Sequence, residues 1–271
     1  MRAALLAPAL ALIVGVQLGA NPGARAERSD AERCVAYSKP GFVEVRACFE
    51  GEVDRYGHRV LGKTPEFETL FYKIQRVDET LENVRERQGA ATLPPTRVFE
   101  DIRPRLADLT GDGVPEAIVV LSDAAVGAQL AVYGFDADGW FEKIAETPFL
   151  GMRNRWLAPV GAADFDGDGR LDFAYVETPH IGGILRIWTL RDGALVQLAE
   201  RSGLSNHRIG QDFIPGGVRD CGAGPQIVTA DQQWRETVIS WLEDGEIVSR
   251  TVADDAAPET LAQALACEIG G

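Results

Sequence analysis

The segment with the clearest chemical potential is the acidic stretch of residues 164–172, whose sequence is DFDGDGRLD. Its first, third, fifth and ninth positions are aspartates, and a glycine follows the third of them. Hard cations such as calcium take six to eight oxygen ligands, and alternate residues of a tight loop can supply them. Carboxylates this close repel one another unless a cation neutralises them. We therefore predict a calcium site with side-chain ligands Asp164, Asp166, Asp168 and Asp172 and the carbonyl of Arg170 as a fifth donor.

A second acidic stretch, DLTGDGVPE, begins 56 residues earlier and covers residues 108–116. It has oxygen-bearing side chains at the same four positions, but a threonine replaces one carboxylate, so we expect weaker binding. The alternative for both stretches is a turn held by Asx hydrogen bonds without an ion. A degenerate third copy begins at Asp220, 56 residues after the second. For the first loop the predicted ligands are Asp108, Thr110, Asp112, Glu116 and the carbonyl of Val114.

The residues that follow each acidic stretch predict strands rather than helices. An EF-hand needs a bidentate glutamate at position twelve and a helix on each side. Position twelve is Val119 in the first stretch and Tyr175 in the second. Residues 117–121 and 171–177 are rich in β-branched and aromatic side chains, which suits strands. Each acidic stretch is therefore expected to join one strand to the next.

The acidic stretches belong to a longer repeat. Asp-Gly pairs between strand-like runs recur at residues 138–139, 192–193 and 244–245, and such pairs are a strong hairpin signal. In the second repeat we predict four short strands, at 159–163, 171–177, 184–190 and 194–199. Four antiparallel strands in a repeat of this length are typical of a β-propeller blade.

The predicted fold is thus all-β, a small β-propeller-like domain of about four blades. Three repeats cover about residues 103–158, 159–214 and 215–252, and a divergent N-terminal blade covers about residues 50–102. Residues 258–266 predict a short C-terminal helix, with Pro258 near its first turn. The charged residues 78–88 are expected to form a short helix or an excursion from the blade.

Residues 1–26 predict a secretory signal peptide, because Arg2 precedes an apolar run and Ala24-Arg-Ala26 precedes a charged segment. The alternative is a retained membrane anchor. Cleavage would leave residues 27–271 as one domain without a membrane span, in the periplasm or the medium. It would also remove two arginines, Arg2 and Arg25, and change the net charge from −14 to −16. So acidic a chain argues against nucleic acid as a partner.

Four cysteines in an exported chain predict two disulfides, for which three pairings are possible. Cys34 and Cys48 flank a Pro-Gly pair and suit the ends of a hairpin. Cys221 and Cys267 would then tie the C-terminal tail to the third repeat. Our hypothesis is that this second disulfide fixes the third loop where calcium fixes the other two.

Residues 108–116 and 164–172, each followed by an apolar strand, resemble the FG-GAP/VCBS repeats of integrin α-subunit propellers and of many bacterial exported proteins. The resemblance covers about residues 103–252. It implies a β-propeller with calcium bound on one face, and it implies no catalytic activity.

These observations predict a non-catalytic, calcium-stabilised binding or adhesion module, with a protein or glycan partner and possible homo-oligomerisation. The alternative is a propeller-based hydrolase or lyase with its site near His180 and residues 206–212. The spacing of the three histidines gives no ligand pattern, so hydrogen bonding in loops or a surface position is expected for them. The tryptophans Trp156, Trp188, Trp234 and Trp241 are expected to pack in the propeller core. Of these, Trp156, beside Arg153 and Arg155, is the best candidate for an exposed sugar or peptide contact.

Overall fold

The computed structural model describes residues 30–39, 43–77 and 84–271, and strands dominate them, which confirms the all-β prediction. Two helices accompany the strands, α1 (Asp30–Arg33) and α2 (Pro258–Leu265). The strands are, in chain order, β1 (Cys34–Lys39), β2 (Val43–Val53), β3 (Glu66–Val77), β4 (Val84–Thr92), β5 (Arg97–Phe99), β6 (Arg105–Ala107), β7 (Glu116–Asp123), β8 (Gly127–Phe135), β9 (Phe141–Glu146), β10 (Leu157–Ala163), β11 (Asp172–Glu177), β12 (Ile184–Arg191), β13 (Ala194–Ser202), β14 (Leu204–Ser205), β15 (Gly217–Asp220), β16 (Pro225–Asp231), β17 (Thr237–Glu243) and β18 (Glu246–Ala253).

The second repeat forms one antiparallel sheet in the order β10-β11-β12-β13. The acidic loop connects its first two strands, and the Asp-Gly turn connects its last two. Both residues of that turn, Asp192 and Gly193, have positive φ (51° and 75°), as a two-residue type I′ hairpin turn requires. The third repeat has the same antiparallel order, β15-β16-β17-β18.

The N-terminal strands are continuous with the sheet of the first repeat. β5 pairs with both β3 and β7, so one sheet runs in the order β1-β2-β3-β5-β7-β8-β9, with β4 on β3 and β6 on β7. The chain is therefore β-propeller-like, while the number of blades stays a prediction.

Apolar clusters between the sheets hold the repeats together. β7 and β8 are buried along almost their whole length. The sheet of the second repeat covers one face, and β2 and β3 of the same curled sheet cover the other. Ile118 and Leu130 of the first repeat share a cluster with Leu157 and Tyr175 of the second. Leu185 of the second repeat and Ile227 of the third share another. Buried apolar area of this kind is the main stabilising term of the fold.

Antiparallel pairing sorts the connections onto two opposite edges of the sheets. The acidic loops and the Asp-Gly turns connect strands at one edge, which we call the acidic edge. The connections that follow β2, β9, β11 and β14 leave the opposite edge. We call that second set the connection platform and define it as residues 54–65, 147–156, 178–183 and 206–216.

Two local predictions were wrong. Residues 84–88 belong to β4 rather than to a short helix, and residues 78–83 lie outside the described residues. Trp156 is only 2% exposed, because its indole packs inside the platform and its Nε1 donates a hydrogen bond to the carbonyl of Glu100 at 2.9 Å.

The predicted signal peptide lies outside the described part of the chain. Within that part no helix is long and apolar enough to cross a bilayer.

Candidate metal centres and a histidine cluster

The second acidic loop brings three of its four predicted aspartates together. Oxygen atoms of Asp164, Asp166 and Asp172 all lie within 4.8 Å of one another. Asp172 is fully buried, and its Oδ2 accepts a hydrogen bond from the backbone N–H of Phe165 at 3.0 Å. Oδ1 of Asp172 and Oδ1 of Asp164 are buried and lack a hydrogen bond of standard geometry among the described residues. Buried carboxylate oxygens need a hydrogen bond or a cation, so this arrangement fits a bound divalent ion.

The fourth predicted aspartate, Asp168, lies beside this triad. Its Oδ1 accepts from the backbone N–H of Arg170 at 2.9 Å, and its Oδ2 is 3.2 Å from the Arg170 guanidinium. The first of these hydrogen bonds is the main cause that lowers the pKa of Asp168. Arg191, from β12, approaches Asp166 at 3.1 Å and so adds positive charge at the rim of the loop.

The first acidic loop forms the corresponding triad from Asp108, Asp112 and Glu116. Glu116 repeats the role of Asp172, since its Oε2 accepts from the backbone N–H of Leu109 at 2.8 Å. Thr110 stands where Asp166 stands in the second loop, and it donates its hydroxyl to Glu116 Oε1 at 2.8 Å. The two triads therefore use different loop positions, one, five and nine in the first loop and one, three and nine in the second.

The two loops share a backbone conformation that their glycines permit. Gly111 and Gly113 have φ of 76° and 86°, and Gly167 and Gly169 have φ of 76° and 88°. Such left-handed values are accessible to glycine without steric cost. The matching pairs of values indicate that the sequence repeat is also a structural repeat.

The third loop is not equivalent to the first two. Only residues 221–224 separate β15 from β16, whereas residues 164–171 separate β10 from β11. Asp220 is the last residue of β15, so its spacing of 56 residues from Asp164 does not place it in a metal loop. A disulfide joins Cys221 to Cys267, and another joins Cys34 to Cys48, which confirms both predicted pairings.

The connection platform brings together the three histidines of the chain, which sequence spacing did not indicate. His58 Nδ1 lies 2.7 Å from Glu100 Oε1. His180 Nε2 lies 2.9 Å from His207 Nδ1, and the Trp156 ring stacks on His180 with centroids 6.2 Å apart. Loops far apart in sequence supply these side chains, so no local signal predicts their contact.

The hydrogen bonds of this cluster determine which nitrogens carry protons. His207 Nε2 lies 3.1 Å from the carbonyl oxygen of Gln211, which can only accept, so this nitrogen donates. His207 Nδ1 then accepts from His180 Nε2–H, and both rings are neutral. Burial lowers the pKa of His207, and burial with the neighbouring His207 and His58 lowers the pKa of His180 to about 4.

This cluster predicts a pH dependence of stability. An unfolded chain takes up a proton on His180 near pH 6.5, whereas the folded chain does so only near pH 4. Unfolding therefore gains protons between these values, and folded-state stability falls as pH drops through that window. Urea unfolding at pH 7.5 and pH 5 should show a larger loss in the wild type than in His180→Gln. Equal losses in both proteins would contradict the burial of a neutral His180.

One comparison with known proteins agrees with the repeat. Residues 108–175 match the family model described as FG-GAP-like repeat. A comparison with curated proteins found no match. Among solved structures, the crystal structure of rhamnogalacturonan lyase YesW aligns with 12% sequence identity and a TM-score of 0.39. That alignment covers 85% of this chain and 54% of the lyase, so the chain spans about half the length of that relative.

The matched segment begins at Asp108, the first ligand candidate of the first loop, and ends at Tyr175, in the strand after the second. It therefore contains both carboxylate triads. The resemblance predicted from the two acidic stretches is confirmed for residues 108–175, which are similar to an FG-GAP-like repeat.

Proposed function

We propose that the protein is an exported, calcium-stabilised, β-propeller-like binding or adhesion module without catalytic activity. The observation that supports this most directly is the pair of carboxylate triads at one edge of successive repeats. The donors are all oxygen atoms, which favours hard cations over zinc or copper. Calcium suits irregular loops of this kind better than magnesium, which demands near-ideal octahedral geometry. Two disulfides support an oxidising compartment, either the periplasm or the medium.

In this proposal the ions act on the scaffold. Each would hold the turn between the first two strands of its repeat and neutralise repelling carboxylates. The connections at the opposite edge are longer and carry mixed side chains, which suits recognition of a protein or glycan by loops on a rigid support.

Calorimetric titration after treatment with EDTA tests the proposal. We expect two calcium ions per chain, each with a dissociation constant on the order of 10⁻⁴–10⁻³ M, as in other extracellular modules. Asp166→Ala should remove one of the two sites, and magnesium should bind far more weakly. If calcium did not bind, the acidic loops would be turns held by Asx hydrogen bonds without an ion, and the proposal would be wrong.

A second candidate is a hydrolase or lyase with its site in the histidine cluster. Its support is the Glu100–His58 pair, in which a buried carboxylate orients an imidazole whose side chain is 17% exposed. Such pairs serve as general bases in many enzymes. Release of reducing sugars or peptides from polysaccharide or protein substrates, abolished in His58→Gln, would favour this candidate over the binding module.

A further inference from the structure

The two edges of the sheets carry opposite charge. At the acidic edge, residues 108–116, 136–140, 164–172, 191–193, 220–224 and 243–246 include fourteen acidic and two basic side chains. The connection platform includes six basic and two acidic side chains, although the whole chain has a net charge of −14. A basic surface on so acidic a protein favours encounter with negatively charged partners.

Hydrogen bonds between its loops make the platform rigid. The Arg153 guanidinium donates to the carbonyl of Tyr56, and the backbone N–H of Asn154 donates to the Tyr56 hydroxyl, both at 3.0 Å. The backbone N–H of Gly210 donates to the carbonyl of Val60 at 3.1 Å. Together with the bond between His180 and His207, these contacts join loops from four parts of the chain. A preorganised surface loses less conformational entropy when it binds.

Two exposed arginines of the platform are held against aromatic rings. The guanidinium carbon of Arg153 lies 5.6 Å from the centre of the Tyr56 ring. That of Arg208 lies 4.5 Å from the centre of the Trp234 ring. Neither arginine has a carboxylate partner among the residues that the structure describes. A guanidinium stacked in this way keeps in-plane N–H donors that match the two oxygens of a carboxylate.

Apolar side chains project beside these charges. Met152, Ile181 and Ile209 are 58%, 69% and 73% exposed, and each is adjacent in sequence to a polar residue of the platform. Arginine and methionine are enriched at protein interfaces relative to the rest of the surface. Sugar rings stack on open aromatic faces, and on the platform Phe213, 42% exposed, is such a ring. Tyr56 is buried, and an arginine covers a face of the Tyr56 ring and of the Trp234 ring.

We propose that the connection platform binds an acidic polypeptide surface whose carboxylates alternate with apolar side chains. The inference rests on the proposed function as a binding module and adds to it the binding surface and the chemistry of the partner. Carboxylates of the partner pair with Arg153 and Arg208, and its apolar groups cover Met152, Ile181 and Ile209. The metal loops lie at the opposite edge and do not contact the partner.

A fluorescent random copolymer of glutamate and tyrosine is a suitable probe, with fluorescence anisotropy as the measurement. We expect binding at 50 mM salt with saturating calcium, and binding at least tenfold weaker at 300 mM salt, because salt screens exposed charges. The Arg153→Gln/Arg208→Gln double variant should also bind at least tenfold more weakly, as should Ile181→Ser/Ile209→Ser. Lys143→Gln, which removes one positive charge from β9, should bind as the wild type does.

Three outcomes would overturn the proposal. Absence of copolymer binding at 50 mM salt would exclude this surface as an acidic-polypeptide site. If poly-L-glutamate bound as tightly as the copolymer, charge alone would explain the binding and the apolar side chains would have no role. If polygalacturonate bound more tightly than the copolymer, the partner would be a glycan. Calcium-dependent melting of the same samples confirms that each variant is folded. The same measurement separates this proposal from that of a calcium-stabilised module. If calcium still raises the melting temperature but the copolymer does not bind, only the proposed binding surface is wrong.

Discussion

Replacing Cys221 and Cys267 by serine should destabilise the protein by about 4 kcal/mol in the chain-entropy model. The bond closes a loop of 46 residues between the end of β15 and the residues after α2. It fixes a third loop that has no carboxylate triad. Equilibrium unfolding in urea of the double variant and the wild type measures the loss.

The matched control is Cys34→Ser/Cys48→Ser, whose loop of 14 residues is shorter and predicts a loss of about 3 kcal/mol. Arg219 donates hydrogen bonds to the carbonyls of Ala264, Ile269 and Gly270, so the tail keeps some attachment without the disulfide. Calcium should not restore the stability of the Cys221/Cys267 variant, because its third loop offers a single aspartate. If the free energy of unfolding fell by less than about 1 kcal/mol, the hydrogen bonds of Arg219 would be enough to hold the tail.

Calcium should raise the melting temperature of the protein after EDTA treatment. With a dissociation constant on the order of 10⁻⁴–10⁻³ M, 10 mM calcium contributes about 1.4–2.7 kcal/mol for each occupied loop. That corresponds to roughly 3–11 °C per loop for a chain of this size. Asp172→Asn should remove the contribution of the second loop, because it neutralises the buried carboxylate at the centre of the triad. Differential scanning calorimetry with calcium, magnesium or EDTA measures each shift.

Asp138→Asn is the matched control for this experiment. Asp138 is an exposed aspartate at the same edge, but it belongs to an Asp-Gly turn and to neither triad. Its replacement should leave the calcium shift unchanged. A full calcium shift in Asp172→Asn would place the ion elsewhere and contradict the assignment of the second loop.

The acidic loops and the hairpin turns could be predicted because their signals are local. A nine-residue stretch fixes which oxygens come close, and an Asp-Gly pair fixes the turn between two strands. The choice among aspartates within a loop could not be predicted. The carboxylate of Asp168 is held by the backbone N–H and the guanidinium of Arg170, and the spacing of the acidic residues does not reveal this contact.

The histidine cluster and the burial of Trp156 depend on contacts between distant loops. The two arginines beside Trp156 predict an exposed side chain. In the structure, however, the indole N–H donates to the carbonyl of Glu100, and the ring stacks on His180. Sequence spacing carries no record of such contacts. The prediction for residues 84–88 was wrong for a related reason, since β4 pairs with β3 alone among the described strands and the side chains of Glu86 and Arg87 are exposed to solvent.

The pairing of β5 with both β3 and β7 affects the order in which the chain can fold. During synthesis β1 to β5 are made before β7, so the N-terminal strands wait with an unpaired edge until the first repeat is complete. The later sheets consist largely of hairpins between strands that are neighbours in sequence, which close quickly. Until β7 is made, the N-terminal strands therefore present an unpaired strand edge, the kind of edge on which another chain can add a strand.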